Sequence, residues 1–138
     1  MIAVAECEDG LWLVEVGTTA EEDELASREP GGRVERPRPA DLAPAWVSAF
    51  LVDVDAAGSA IVVCVDHRPP LLVSHDAGTT WTERGAGLPP GRAIALGETP
   101  DDFLYASRNR LHVSRDGGVF WRALAVELPE IRDVAWGL

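Results

Sequence analysis

The sequence predicts an all-β fold of short antiparallel strands. Helical periodicity is almost absent from its 138 residues, and the one helix-compatible stretch, residues 19–27, is short and mostly acidic. Short apolar runs recur along the chain instead, separated by turn residues drawn from 13 glycines and 10 prolines. Two segments, one starting at Ser74 and the other at Ser114, share a single pattern. Strand-length runs at regular spacing mean a sandwich, a barrel or a propeller, and internal repetition decides among them.

Taken in order, strands are expected at 2–5, 11–16, 47–54, 60–65, 71–74, 80–83, 93–96, 103–106, 111–114, 120–124 and 131–136. The first two are apolar runs parted by Glu8-Asp9-Gly10, a turn sequence. Residues 17–46 interrupt the pattern with an acidic run, Glu21-Glu22-Asp23-Glu24, and a proline-rich stretch. That acidic run reads as a solvated, mobile loop. From Val47 onward, β-branched and aromatic residues alternate with Gly, Pro, Asn and Asp in groups of four strands.

Ser74-His75-Asp76-Ala77-Gly78-Thr79-Thr80-Trp81 matches Ser114-Arg115-Asp116-Gly117-Gly118-Val119-Phe120-Trp121. Both read S-x-D-x-G-x-x-W, and each follows an apolar run. A tight hairpin explains the pattern. Asp76 and Asp116 accept backbone N–H bonds across the turn, while Gly78 and Gly118 supply a positive φ. Ser74 and Ser114 cap the loop, and the Trp81 and Trp121 indoles pack beneath it.

This motif resembles the Asp-box, or BNR, repeat of sialidase-like β-propellers. The resemblance implies a propeller of four-stranded antiparallel blades, with the Asp boxes as structural hairpins on the face opposite the ligand site. A second repeat fits the same frame. Leu42-Ala43-Pro44, Leu88-Pro89-Pro90 and Leu128-Pro129-Glu130 recur at nearly even intervals, and each leads into an apolar strand. The chain is then a single domain of about three blades. Blade 1 covers residues 1–46, with its Asp box replaced by an insertion at 18–32 and its outer strand at 34–36. Blade 2 covers 47–91, blade 3 covers 92–130, and 131–138 is a closing strand. Propellers close with about four to eight blades. Completion of a six-bladed ring by a second chain is therefore expected, as a homodimer exchanging its C-terminal strand. A trimer of nine blades, closure of 131–136 on the chain's own 2–5, and a plain sandwich are the alternatives.

Composition narrows function. All 12 basic residues are arginine, and 23 acidic residues bring the net charge to −11. Such a balance argues against nucleic acid, which needs a basic footprint, and against an anionic membrane surface. No run approaches the length of a membrane span. The N-terminus turns acidic at Glu6 without the basic start of a secretory signal, so a cytoplasmic location is expected. Cys7 and Cys64 lie in apolar runs and read as buried free thiols, and no spacing suggests a metal or a cofactor.

No nucleophile, phosphate-loop or zinc motif is present. The single tyrosine, Tyr105, reads as a packed aromatic with a solvated hydroxyl, and His67, His75 and His112 as solvated. Blade topology brings Arg36, Arg38, His67, Arg68, Arg92, Arg108 and Arg110 to one face, and Asp55, Asp76, Asp101, Asp102, Asp116 and residues 21–24 to the other. Arginine forks suit carboxylates and phosphates. The sequence thus points to a non-catalytic binding or scaffold protein with an anionic ligand or an acidic protein partner on its Arg-rich face. Arg36, Arg68, Arg92, Arg108, Arg110 and the rim aromatic Trp46 are the candidate ligand residues. A minimal sialidase-like glycan-active enzyme and a sugar-binding lectin are the rival readings.

Overall fold

The computed structural model describes residues 1–137, and in it the chain forms three four-stranded antiparallel sheets. The first holds β1 (Ile2–Cys7), β2 (Gly10–Glu15), β3 (Glu24–Pro30) and, from the far end of the chain, β12 (Ile131–Trp136), in the order β12-β1-β2-β3. The second is a meander of β4 (Leu51–Ala57), β5 (Ala60–Val65), β6 (Leu71–Ser74) and β7 (Thr82–Arg84). The third is a meander of β8 (Ala93–Leu96), β9 (Phe103–Ala106), β10 (Arg110–Ser114) and β11 (Arg122–Glu127).

The alternation of side chains along β8 and β9 explains how the sheets stack. Ala93, Ala95, Leu104 and Ala106 pack with Ala3, Ala5, Cys7 and Val14 of the first sheet. Ile94, Phe103 and Tyr105 point the other way, onto Val62, Cys64, Leu71 and Val73 of the second. The third sheet therefore lies between the other two and is buried on both faces. That is why β9 reads as a continuous apolar run rather than an alternating one.

The remaining face of the second sheet, with Ile61, Val63, Val65 and Leu72, is covered by a 3-10 segment, Ala45–Phe50, whose Val47 is fully buried. This segment occupies ground where a strand from Val47 was expected. Tight 3-10 turns follow readily where prolines such as Pro44 set the entry angle. On the outer face of the first sheet, the Val34 N–H donates to Glu6 Oε1 at 2.8 Å. Residues 31–50 thus occupy the open side between the first and second sheets.

Two expectations about the first sheet fail here. Its outer strand is β3 at Glu24–Pro30, inside the expected insertion, and residues 34–36 form no strand. The acidic run is exposed at Glu21, Glu22 and Glu24 as expected, but Asp23 departs from that reading. Ala20–Glu22 form a 3-10 turn, and the Asp23 side chain is fully buried. Asp23 accepts the N–H groups of Gly17 and Ala125 and the guanidinium of Arg122, which also donates to the Gly17 carbonyl. Burial pushes the Asp23 carboxyl up, but these donors outweigh it and hold it below its ordinary value. Where the third and second sheets use Ser-x-Asp-x-Gly turns, the first uses this latch onto the third.

The C-terminal strand is paired within the chain. β12 runs antiparallel to β1 of the same molecule, with Val4 opposite Ala135 and Ala5 opposite Val134. One chain thus satisfies by itself the pairing for which exchange with a second chain was expected. The expectation arose because the missing inner strand of the first sheet lies at the opposite end of the sequence, and sequence alone does not say whose copy supplies it.

The two repeated turns have closely matched hydrogen bonding. Ser74 Oγ donates to Asp76 Oδ1 at 2.8 Å and accepts from the Gly78 N–H at 2.8 Å. Ser114, Asp116 and Gly118 repeat these bonds at 2.7 and 2.9 Å. Gly78 and Gly118 take φ of 93° and 91°, values that disfavour any side chain. The turns differ at their seventh position. Thr80 donates its hydroxyl to Asp76 Oδ2 at 2.6 Å, whereas Phe120 offers Asp116 only its backbone N–H.

The Thr80 hydroxyl is the foremost reason why the Asp76 carboxyl falls to about 2, followed by the Thr80 N–H and the Ser74 hydroxyl. A depressed folded value stabilises the fold above the ordinary carboxylate value of 3.8, and that contribution is lost as pH falls through about 2. In an NMR titration of the Asp76 carboxyl carbon, Thr80→Val is expected to raise the midpoint toward the ordinary value. An unchanged midpoint would remove the hydroxyl from this account.

Candidate functional site

The candidate arginines are separated by what they already hold. Arg36 is buried between β4 and β12 and bridges two sheets. Its Nε donates to the Val134 carbonyl at 3.0 Å and its Nη1 to the Val54 carbonyl at 3.3 Å. Its Nη2 meets Asp53 at 2.5 Å and Asp133 at 3.2 Å. Arg38 adds contacts to the same two carboxylates. Asp53 Oδ2 also accepts the Ile94 N–H at 2.9 Å, and Asp55 Oδ2 accepts that of Leu96 at 2.8 Å, which ties β4 to the inner edge of β8. The Arg36 guanidinium is therefore already held by internal carboxylates and carbonyls.

Arg92 pairs with Glu130 at 2.9 Å, and Arg108 approaches the same oxygen at 3.9 Å. Arg110 lies within β10, donates to the Leu124 carbonyl at 2.9 Å and faces Glu127 at 3.9 Å. Arg68 alone of the five has no carboxylate within ion-pair distance among the described residues.

Three clefts adjoin at the end of the second sheet, and Arg68 lines two of them. The largest, about 530 Å³, lies between Arg68-Pro69-Pro70 and the 86–90 segment with Leu88 and Pro90. A second, of about 250 Å³, continues past Asp66 and His67. The third, of about 150 Å³, reaches Phe50, Leu72 and Trp46, whose side chain is 64% exposed. Arg68 thus lines the first two clefts and Trp46 the third, which adjoins them at Pro69 and His67, and the other candidates line none of the three.

The walls of the groove are pinned from below. The Asp66 N–H donates to the Phe50 carbonyl and the Val65 N–H to that of Pro70, both at 2.8 Å. The Tyr105 hydroxyl donates to the Pro89 carbonyl at 2.6 Å. Next to it, a Cβ at Gly91 would lie 2.5 Å from that hydroxyl oxygen, so only glycine fits. Tyr105 is fully buried, and burial pushes its hydroxyl well above the ordinary value. The solvated hydroxyl expected from the sequence is corrected: this one is committed to a carbonyl.

His67 and His75 are exposed as expected, and the His67 ring stands 5.9 Å from Phe50 at the groove. His112 departs from expectation. It is buried in β10, edge-on to Tyr105, with Nε2 3.1 Å from the Ser107 hydroxyl. Burial first, and Arg110 second, lower its pKa below the ordinary value. Cys7 and Cys64 are buried free thiols, raised to about 11 and about 12 by burial. Among the described residues no three His, Cys, Asp or Glu side chains are grouped to hold a metal ion, and no helix is long and apolar enough to cross a membrane.

Asp53 and Asp133 escaped the sequence reading, although a signal for them exists. Each precedes a valine on the inner strand of its own sheet, and each carboxylate accepts the N–H of that valine. Phe50, Pro69 and Leu88 carry no comparable pattern, because they meet only when three separate loops fold together.

No model of a known protein family matches the chain, and comparison with curated proteins and with solved structures yields no match.

Proposed function

We propose that the chain is a non-catalytic binding module of the Asp-box propeller type, with each sheet a blade and β4, β8 and β12 the inner strands. In this reading the two S-x-D-x-G-x-x-W turns hold the blades together, and the ligand sits at their opposite ends, in the groove of Arg68 and Trp46. The observation that carries the proposal is that Arg68 has no internal carboxylate in a chain of net charge −11 and lines a cleft that adjoins, at Pro69, one bearing an exposed tryptophan.

The ligand class follows from the lining. A guanidinium fork takes a carboxylate. Trp46, Phe50 and the flat faces of Pro69, Pro70 and Pro90 take a planar apolar body. A small aromatic carboxylate satisfies both. The probe is 2-naphthoate, with neutral 2-naphthol as its control, followed by NMR. Naphthoate is expected to shift the amide signals of residues 66–70 and 86–90, and Arg68→Ala to weaken it about tenfold, to the level of the neutral control. Salt should weaken the wild type more than the variant. Equal binding of naphthoate and naphthol by the wild type would refute the anionic ligand.

A further inference from the structure

The two repeated turns provide an internal comparison. At their sixth and seventh positions, the first turn has Thr79 and Thr80 and the second has Val119 and Phe120. Thr80 closes its turn with a hydroxyl bond to Asp76, so the fold is well served by threonine there. Phe120 forgoes that bond and leaves its ring 77% exposed, beside Val119 at 54%. No other large apolar side chain among the described residues is as exposed as Phe120. The second turn has bonds of its own, from the Val119 N–H to Asp116 Oδ1 and from the Trp121 indole to the Gly118 carbonyl, but neither calls for an exposed phenylalanine at position 120.

The surroundings of Phe120 form a cleft of about 390 Å³ between the first and third sheets, floored by Val16, Val113 and Trp121. Two polar groups at the cleft have unused capacity. Asp116 Oδ1 accepts the turn N–H groups and the Ser114 hydroxyl, while Oδ2, the atom whose counterpart takes Thr80, has no partner among the described residues. Arg115 is half-exposed and uses only its Nε, on Asp102 at 2.7 Å, so both terminal nitrogens are free to take a carboxylate.

We propose that this turn docks an extended segment of a partner protein bearing one large apolar side chain flanked by carboxylates. The apolar side chain fills the cleft against Phe120. A backbone N–H of the segment donates to Asp116 Oδ2, and a carboxylate takes the free edge of the Arg115 guanidinium. The surface lies at the end of the sheets opposite the Arg68 groove and does not depend on what that groove binds.

The test uses the whole chain and three capped peptides: Asp-Phe-Ser-Asp, its lysine counterpart Lys-Phe-Ser-Lys, and Asp-Ser-Ser-Asp. The first is expected to shift amide signals at 16–18 and 115–122, and the other two to bind at least about tenfold more weakly. Phe120→Thr should abolish the shifts while keeping or raising the melting temperature, since it restores the bond seen at Thr80. Arg115→Gln should weaken the acidic peptide and leave its salt dependence flatter. Equal binding by the Phe120→Thr variant, preference for the lysine peptide, or no binding at all would overturn the proposal. So would a concentration-dependent mass that Phe120→Thr abolishes, because the occupant would then be a second copy of this chain.

Discussion

Arg36→Met is expected to destabilise the chain by about 3–5 kcal/mol, enough to unfold a marginal domain. The guanidinium is buried and touches both Asp53 and Asp133 while holding carbonyls of β4 and β12. Methionine keeps much of the volume but leaves two buried carboxylates facing each other without their main counter-charge. Arg38, which is far more exposed, is a partial substitute only. The loss therefore comes from stranded charge rather than from a cavity. A double variant, Arg36→Met with Asp133→Asn, should recover part of the stability in chemical denaturation. If the single variant melts like the wild type, the network contributes nothing net and the inner strands are held by packing alone.

Ending the chain after Glu130 should have a comparable effect. It removes β12, strips Ile131 and Val134 from the core shared by the first and third sheets, and leaves β1 with an unpaired edge. Such an edge is a template for aggregation. The truncated chain is expected to be insoluble or to elute as large aggregates, and a synthetic peptide of residues 131–137 added during refolding should restore a soluble species. A soluble, folded truncation would contradict the pairing of β12 with β1. Because the same contacts arise whether β12 folds onto its own β1 or onto a neighbour's, shortening the 128–130 connection is the change expected to turn self-closure into an exchanged dimer, read by light scattering.

The all-β class and most strand positions were legible because their signals are local. The apolar runs of β5, β6, β8, β9 and β10 stand between turn residues, and the repeated Ser, Asp, Gly and Trp specify two hairpins through bonds that stay within each turn. What misled was long-range. Residues 24–30 are entirely exposed, so β3 carries no burial pattern to announce it; its place is set by pairing with β2 and by the Asp23 latch. Residues 45–50 have the composition of a strand but serve as a lid on the second sheet. At the site, residue type singled out Arg68 and Trp46 as candidates, and they line adjoining clefts. It could not separate Arg68 from Arg36, because both are arginines in loops. Only the carboxylate partners of Arg36, both far from it in sequence, distinguish the two.

The pairing of β1 with β12 also fixes an order in time. During synthesis the second and third sheets can form as soon as their four consecutive strands exist, since each is a meander of nearest neighbours. The first sheet cannot. Its β1 and β2 are made first and then wait, one edge bare, until residue 131 and those after it have been added. Until then Ala3, Ala5 and Val14 can meet the third sheet, but Arg36 lacks Asp133 among the carboxylates it joins. The earliest strands thus belong to the last sheet completed, and while the others are being made this protein carries an unfinished sheet whose exposed edge must be kept from other chains.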